Sequence, residues 1–546
     1  MRPPVGNMFS STWIVTPLFV TDLSTARTFA VKARDAGADA IELRCDRTEA
    51  TVIEAVLRDP EIRRLKTILT IRPAWEGGGF TGSEAQRLEL LRLACRYQPD
   101  LIDVEWKAWQ NSAGFADVLA PCLMMPETWR ASAATQRRAP GLIISNHDFV
   151  QRPADLHQRV AAMAAIPEAT VLKVAFAAAD INDAVAALNL YNQRSDFNDL
   201  PLVAIAMGEA GQISRLLAAK FGAAFTFAQL DAEAHSAPGQ PPISTLMQRF
   251  RFKEQRADWR VFGLVGSPVS HSVSPMIHNA GFAQTGYAGV YVPLLTAPGY
   301  DNFIRTINGL RRLPGMNLGG VSVTIPHKSS ALAYASEESG TIDPVAQHIG
   351  AVNTLFFPPG GGIRAMNSDA AGAVAALTSG MGIKAEMLRD SDVAILGAGG
   401  AARAIVAALC ELGARIAIYN RTPARAVELA QQFTTGPGRI QARDIHDFSS
   451  SHHKIVINCT AAGMTPHVND LPFPSDAKFY ADQIVFDTVY NPRRTRFLQM
   501  AQHSGATCVE GLEMLLSQAA AQFEGFTGQP VPSEAMRAAA LDALGR

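Results

Sequence analysis

The chain has 546 residues, 48% hydrophobic and 18% charged, with 49 Lys and Arg against 50 Asp and Glu and a net charge of −1. That length exceeds one hydrophobic core and predicts roughly two to four domains, while the composition excludes a disordered chain and the balanced charge argues against a nucleic-acid partner. Cysteines 45, 95, 122, 410, 459 and 508 are scattered without a C-x-x-C pair. They predict free thiols in a reducing compartment and no metal site. No leader or apolar run of membrane-spanning length stands out, so the expectation is a cytoplasmic protein with no membrane partner.

From Trp13 to about Gln248, β-type runs alternate with helical segments. The candidate strands are Trp13–Val20, Ala40–Cys45, Thr67–Arg72, Leu101–Glu105, Leu142–Asn146, Thr170–Val174, Leu202–Met207 and Ala224–Phe227. Helix-length segments include Ser24–Ala36, Ser83–Tyr97, Asp155–Ala165 and Ile181–Asn192, with Ser24 and Ser83 as expected N-caps and Gly37 as a C-terminal glycine. The stretch from Phe115 to Pro140 is the least regular. Eight βα units of this total length predict an α/β fold that begins with a (β/α)8 barrel, with a doubly wound open sheet as the alternative.

In such a barrel, chemistry gathers where the strands end. The polar residues at those ends are Glu42, Arg44 and Asp46; Arg72 followed by Glu76; Asp103 and Glu105; Ser145, Asn146, His147 and Asp148; and Lys173. Ser214 and Arg215 follow strand seven, and Ser236 and Gln240 follow strand eight. Lys173 lies inside an otherwise apolar run, where desolvation favours a neutral amine able to attack a carbonyl. An equal reading pairs it with Glu105 or Asp103. His147 on the adjacent strand moves the balance toward an imine enzyme with a general acid/base, and Glu76 would orient the imidazole. Arg44, Arg72 and Arg215 suggest an anionic, hydroxylated substrate.

Glu-Leu-Arg-Cys-Asp at 42–46, Arg-Pro-Ala-Trp-Glu-Gly-Gly at 72–78, Ser-Asn-His-Asp-Phe at 145–149, Lys173, Met-Gly at 207–208, Ser-Arg at 214–215 and Ser-Ala-Pro-Gly-Gln at 236–240 resemble type I 3-dehydroquinate dehydratase. The resemblance implies a Schiff base on Lys173, acid/base work by His147 and Glu76 as its partner. It also implies hydroxyl or carboxylate contacts from Glu42, Arg44 and Arg72, the carboxylate on Arg215, and a lid carrying Ser236 and Gln240. Gln151-Arg-Pro departs from the Thr-Pro frequent in that family.

Residues 249–260 are charged and lack Gly and Pro, which predicts a solvated connector with the boundary near Ala257. Beyond it, Ser274-Pro275 reads as an N-cap followed by proline at the first helical position, with Ser272 facing the same way as Ser274. Two hydroxyls beside free helix amides suit a carboxylate. Residues 319–328 form a β-run closed by Pro326, and Gly350–Thr354 and Asn367–Gly372 are turn-rich. Lys328 and Asp369 each have an ordinary surface or turn reading; flanking a substrate hydroxyl, they would relay a proton.

Val393–Leu396, a glycine-rich turn and a helix from about Ala404 give the strand–turn–helix order that a dinucleotide pyrophosphate needs. Gly397 and Gly399 take the first two glycine positions and Ala402 the third. Where an NAD site carries an acidic residue, this chain has Asn420, Arg421 and Thr422, with Arg425 one turn on, which favours NADP.

Ser-His-Ser-Val-Ser-Pro at 270–275, Val-Thr-Ile-Pro-His-Lys at 323–328, Gly-Ala-Val-Asn-Thr at 350–354, Asn-Ser-Asp at 367–369, the glycine turn at 397–403, Asn-Arg-Thr at 420–422, Asn-Cys-Thr at 458–460, Val-Tyr-Asn-Pro at 489–492 and Gly511 to Gln518 together resemble shikimate dehydrogenase. The resemblance implies carboxylate binding by Ser272 and Ser274, a catalytic pair of Lys328 and Asp369, and a substrate site lined by Thr324, Asn353, Tyr490 and Gln518. It implies cofactor contacts from Gly397, Ala398, Gly399, Gly400, Ala401, Asn420, Arg421, Thr422, Arg425, Thr460 and Gly511. Ser322 stands where Asn is frequent and Ser368 where Thr is frequent.

The expected domains are residues 10–256, a barrel; 257–369, a substrate domain onto which 510–546 folds back; and 370–509, a Rossmann-type NADP domain. The two families catalyse consecutive steps, from 3-dehydroquinate through 3-dehydroshikimate to shikimate, fused in the plant order. A regulator that only binds such metabolites would have lost Lys173, Lys328 or Asp369, and all three are present. A quinate-specific oxidoreductase with a vestigial first half is the other alternative.

Overall fold

Apolar runs separated by helices close the first half into a ring of eight parallel strands: β1 (Trp13–Phe19), β2 (Ala40–Arg44), β3 (Lys66–Thr70), β4 (Leu101–Glu105), β5 (Gly141–Asp148), β6 (Ala169–Ala177), β7 (Leu202–Met207) and β8 (Phe225–Phe227). In this computed structural model, residues 8–111, 114–123, 139–230, 239–433, 436–474 and 477–545 are described. The strand order is β7-β6-β5-β4-β3-β2-β1-β8. The two end strands meet where the Ala224 amide donates to the Leu202 carbonyl at 2.9 Å. Val15, Ala40, Ile68, Leu101, Ile143, Val171 and Val203 come from seven strands to one buried cluster, the packed interior of a (β/α)8 barrel. The open-sheet alternative is set aside.

Two strands run longer than expected. β5 continues through His147 and Asp148, and β6 through Ala177. Their register sets Ser145 beside Lys173 and His147 beside Ala175. His147 therefore stands on paired backbone rather than on a loop.

Local start signals were only partly legible. Ser83 caps the helix Glu84–Cys95 in a capping box with Gln86. The helix Leu23–Asp35 is capped by Asp22, whose carboxylate accepts from the Thr25 amide; Ser24 sits inside the first turn. Ser274 is likewise the first helical residue, after Val273, and its hydroxyl faces Ser272. The charged connector is not wholly a solvated face. Phe250, Phe252 and Trp259 are buried, and so is Arg251. The Arg251 guanidinium lies 4.5 Å from the Trp259 ring centroid and pairs with Glu254.

The chain divides into two compact units, one of residues up to 260 with 288–296 and 305–317, the other of 261–287, 297–304 and 318–546. Beyond the barrel, a six-stranded mixed sheet has the order β10-β9-β11-β13-β14-β12. Its strands are β9 (Arg260–Gly266), β10 (Gly289–Leu295), β11 (Leu318–Val323), β12 (Thr341–Ile342), β13 (Thr354–Phe356) and β14 (Arg364–Met366). The helix Gly511–Thr527 packs back against this region: Phe526 lies 4.8 Å from Phe262 and 5.3 Å from Phe356, and Phe523 5.6 Å from Phe282, between ring centroids.

The third sheet is wholly parallel, with strands β15 (Asp392–Leu396), β16 (Arg415–Asn420), β17 (Arg439–Asp444), β18 (Ile455–Asn458), β19 (Ile484–Asp487) and β20 (Thr507–Val509). Its order, β17-β16-β15-β18-β19-β20, is that of dinucleotide-binding folds. Val393 and Ile395 join one core cluster and Ala394 and Leu396 another, so the sheet is buried on both faces. That is why β15 reads as an unbroken apolar run. Among the described residues, no helix is long and apolar enough to cross a membrane.

Candidate active sites

The barrel holds a dense set of buried charges. Lys173 is 4% exposed, and its Nζ donates to Asp103 Oδ2 at 2.9 Å, with Glu42 Oε1 at 3.7 Å. Asp103 also accepts from Ser145 at 2.5 Å and pairs with Arg72 at 3.0 Å. Arg72 reaches Glu105 at 2.7 Å, and Arg87, from the helix Glu84–Cys95, donates to the other oxygen of Glu105. Burial would raise the Asp103 carboxyl, but Arg72 and Lys173 outweigh it and hold the group well below the usual carboxylate range. Of the two partners proposed for Lys173, Asp103 is the one in place; Glu105 is taken by the arginines.

His147 Nδ1 lies 2.9 Å from Glu76 Oε1, and the His147 amide donates to the same oxygen at 2.9 Å. While Glu76 is ionised it can only accept, and in that state Nδ1 carries the proton and Nε2 is the basic atom. Burial, then Arg72 and Lys173, push His147 well below the usual histidine range, which keeps the ring neutral. Burial pushes the Glu76 carboxyl up to about 7. Phe149 stacks on the ring with centroids 6.0 Å apart.

The expected substrate contacts divide. Glu42 faces Lys173 and accepts from Thr70 at 2.8 Å. Arg44 pairs with Asp46 at 2.7 Å and lies over Phe19. Arg72 is engaged by Asp103 and Glu105. Arg215 differs: it is 2% exposed, donates to the Ala206 carbonyl at 3.1 Å, and has no carboxylate partner among the described residues. Its Nε is unsatisfied, and burial lowers the guanidinium to about 10. A buried cation without an anion is costly, which suits a ligand carboxylate. Gln240 is half-buried; Ser236 lies outside the described residues.

In the second unit, Lys328 begins the helix Lys328–Glu337, Asp369 begins the helix Asp369–Met381, and Lys328 Nζ donates to Asp369 Oδ2. Asn353 Nδ2 donates to Asp369 Oδ1 and to Ser368 Oγ, each at 3.0 Å. The turn reading holds for Asn367, whose amide oxygen accepts from the Asp369 N–H at 2.8 Å. Ser272 and Ser274 present hydroxyls 3.2 Å apart, and Tyr490 is hydrogen bonded to Ser272. Thr324 follows β11, and Gln518 lies on the helix Gly511–Thr527.

Gly397 has φ 105°, and a Cβ there would lie 2.8 Å from Thr460 Cγ2, so glycine is required. The helix Gly400–Glu411 starts just after it. The first amides of such a helix have no intrahelical acceptor. Nothing lies within 4 Å of where a Cβ on Gly399 would sit, and one on Gly400 would be 3.5 Å from Lys328 Cδ. The glycine turn thus opens beside the Lys328–Asp369 pair. At the end of β16, Asn420 donates to the Thr422 carbonyl at 2.9 Å. Arg421 and Arg425 are exposed and make no ion pair among the described residues. Thr460 is fixed by Asn458 at 2.7 Å, and Asn458 by Asp487 at 2.9 Å.

Sequence reasoning left Ser145, Arg87 and Gln522 out of both sites. Ser145 was visible only as a small polar residue at a strand end. Arg87 lay on a helix, and nothing local marked its reach into the barrel. Among the described residues, no group of three or more His, Cys, Asp or Glu is placed to hold a metal ion.

A barrel built round a buried lysine, joined to a dinucleotide fold whose glycine turn opens on a Lys–Asp pair, defines a fused lyase and oxidoreductase. The type I 3-dehydroquinase family matches residues 14–257, the shikimate dehydrogenase substrate binding domain 264–355, shikimate/quinate 5-dehydrogenase 382–470 and the shikimate 5'-dehydrogenase C-terminal domain 511–541. A chloroplastic bifunctional 3-dehydroquinate dehydratase/shikimate dehydrogenase of Arabidopsis thaliana is 35% identical over 517 residues, 92% of this chain and 80% of that one. The NADP(+) shikimate dehydrogenase of Methanosarcina acetivorans is 38% identical over 289 residues, 52% of this chain and 99% of its own length. A solved dehydroquinate dehydratase and shikimate dehydrogenase from S. pombe is 24% identical, covers 98% of this chain and 99% of that one, and has a TM-score of 0.41. The chain belongs to the bifunctional 3-dehydroquinate dehydratase/shikimate dehydrogenase family, a lyase and an oxidoreductase of the shikimate pathway in one polypeptide.

Proposed function

We propose that Lys173 and the Lys328–Asp369 pair are the two reacting centres. The first converts 3-dehydroquinate to 3-dehydroshikimate; the second reduces that product to shikimate with NADPH. The observation that carries the first assignment is the buried Lys173, with a histidine held neutral on the adjacent strand.

At the barrel, Lys173 Nζ gives up a proton and attacks the substrate ketone as the neutral amine; a proton is taken up again as the carbinolamine hydroxyl leaves as water, so a protonated imine forms. The positive imine acidifies the neighbouring carbon, and His147 Nε2 removes its proton. The same imidazolium then protonates the departing hydroxyl, and water hydrolyses the imine to release product. Glu76 keeps the ring oriented, Arg215 takes the carboxylate, and Glu42, Arg44 and Arg72 border the hydroxyls. Ser236 and Gln240 belong to the proposed lid.

At the second centre, Ser272, Ser274 and Tyr490 receive the carboxylate, and Thr324, Asn353 and Gln518 border the ring. Lys328, paired with Asp369, gives a proton to the carbonyl oxygen or takes it back. The residues present fit NADP(H): Gly397, Ala398, Gly399, Gly400 and Ala401 would hold the pyrophosphate at the helix N-terminus, and Asn420, Arg421, Thr422 and Arg425 the 2′-phosphate. Thr460 and Gly511 complete that set. When bound, the cofactor supplies the hydride.

The proposed domains are residues 10–256, 257–369 with 510–546, and 370–509. The six free cysteines support a reducing, cytoplasmic setting, and the balanced charge supports small-molecule rather than nucleic-acid partners. The test is borohydride reduction in the presence of 3-dehydroquinate followed by peptide mapping. A reduced adduct on Lys173 is expected; an unmodified Lys173 peptide would overturn the imine assignment.

A further inference from the structure

Asp369 and Lys328 sit at the end of a line of hydrogen bonds that starts on another helix. Ser322 Oγ donates to Gln522 Oε1 at 2.6 Å. Gln522 Nε2 donates to Thr354 Oγ1 at 3.0 Å. Thr354 Oγ1 donates to Asn353 Oδ1 at 2.9 Å. Asn353 Nδ2 donates to Asp369 Oδ1 at 3.0 Å, and Lys328 completes Asp369 from the other oxygen. Ser322, Gln522, Thr354, Asn353 and Asp369 are all buried. No solvent competes for their hydrogen bonds, so each donor direction is set by its neighbour.

The line is directional. A hydroxyl has one proton. Because Gln522 donates to Thr354, the threonine proton is free to turn toward Asn353 Oδ1. That oxygen also accepts from the Ser368 amide at 3.1 Å. With its oxygen held on that side, the Asn353 amide must present Nδ2 to Asp369. Reversing the first bond would let the threonine proton point back, weaken the hold on Asn353 Oδ1, and permit the amide to turn its oxygen toward the carboxylate.

We propose that Gln522 is a positioning residue for the dehydrogenase reaction, fixing through Thr354 and Asn353 the orientation of Asp369 and hence of Lys328. It rests on the assignment of Lys328 and Asp369 as the catalytic pair. Gln522 touches neither residue. It belongs to the helix Gly511–Thr527, which returns from the cofactor sheet to the substrate region, so that helix supplies polarity as well as packing.

The test uses the full chain, with the melting transition of each variant and its KM for NADP+ as controls for folding of the second unit. Gln522→Glu keeps the size and reverses the donor; Gln522→Met keeps the length and removes it. Both are expected to lower kcat for shikimate oxidation about tenfold, as for loss of one buried hydrogen bond. KM for NADP+ should stay within about twofold. Thr354→Val should give the same loss, and Gln522→Met with Thr354→Val no further loss. Lys328→Ala, measured alongside, separates the two ideas. If it retains full kcat, the catalytic pair is misassigned and the proposal falls with it. If it abolishes turnover while both Gln522 variants keep wild-type kcat, the pair stands and the positioning role is overturned. A Gln522 effect confined to KM also overturns it, since a group acting through Asp369 must change the chemical step.

Discussion

Each half holds a lysine paired with an aspartate, and the two pairs are built in opposite ways. Lys173 is in mid-strand and 4% exposed, with Arg72, Arg87, Asp103, Glu105 and Glu42 forming a continuous charged cluster. Lys328 is half-buried, begins a helix, and has one carboxylate partner oriented by neutral amides and hydroxyls. The difference suits the proposed chemistry. A lysine that bonds covalently to substrate needs a surrounding that stays fixed while its own bonding changes. A lysine that passes a proton needs access and a correctly oriented partner.

Removing each lysine should separate the halves most sharply. Lys173→Met is expected to lower dehydration by roughly 10⁴-fold while leaving shikimate oxidation intact, as paired assays on one preparation would show. Equal loss of both rates would mean unfolding rather than lost chemistry. Arg215→Met comes next. We expect kcat/KM for 3-dehydroquinate to fall roughly 100-fold, mostly in KM, without loss of thermal stability. An uncompensated buried cation contributes no folding pair, so a marked drop in melting temperature would count against a ligand role.

The pH profile sharpens the contrast further. Ionised Glu76 holds the His147 Nδ1–H, and burial has raised that carboxyl to about 7. As pH falls through that value Glu76 protonates and the hold is lost. Dehydration kcat/KM should therefore decline by up to about tenfold per unit on the acid side of neutrality, and Glu76→Gln should flatten that limb. A limb near the ordinary carboxylate range, about 4, would contradict it. The smallest effect is expected at the cofactor. Arg421→Ala should shift the NADP-over-NAD preference by about tenfold or less, because the side chain is exposed; unchanged ratios would move 2′-phosphate recognition elsewhere.

What was readable follows from how local each feature is. β4 and β7 match their expected ends, because buried parallel strands read as apolar runs bounded by turns. β5 was cut short because its last residues are polar: His147 meets Glu76, and Asp148 accepts from the Val150 and Gln151 amides of the following turn. Asp22 was overlooked as a cap in favour of Ser24, two residues on, a choice that hydrogen-bond geometry decides. Ser272 with Ser274, and Gly397 with Gly399, were visible because the paired features are neighbours in sequence. The hydrogen bonds of Gln522 to Ser322 and Thr354 span 200 and 168 residues, and no pattern near Gln522 announces them. Arg251 misled for a similar reason: its stacking on Trp259 depends on a left-handed turn that a run of charges does not reveal.

Arg87 gives the barrel cluster a property that none of its pairs has alone. Three cations, Lys173, Arg72 and Arg87, face three carboxylates, Glu42, Asp103 and Glu105. Setting aside the half-buried Glu84, which also pairs with Arg87, the charges of this set balance while position 173 carries a positive charge. An ammonium and a protonated imine carry the same charge at nearly the same place, so the proposed imine would form and hydrolyse without re-pairing the surrounding groups. Arg87, fully buried though it comes from an outer helix, would under the proposed imine chemistry help hold the carboxylates in place as the lysine passes from one covalent form to another.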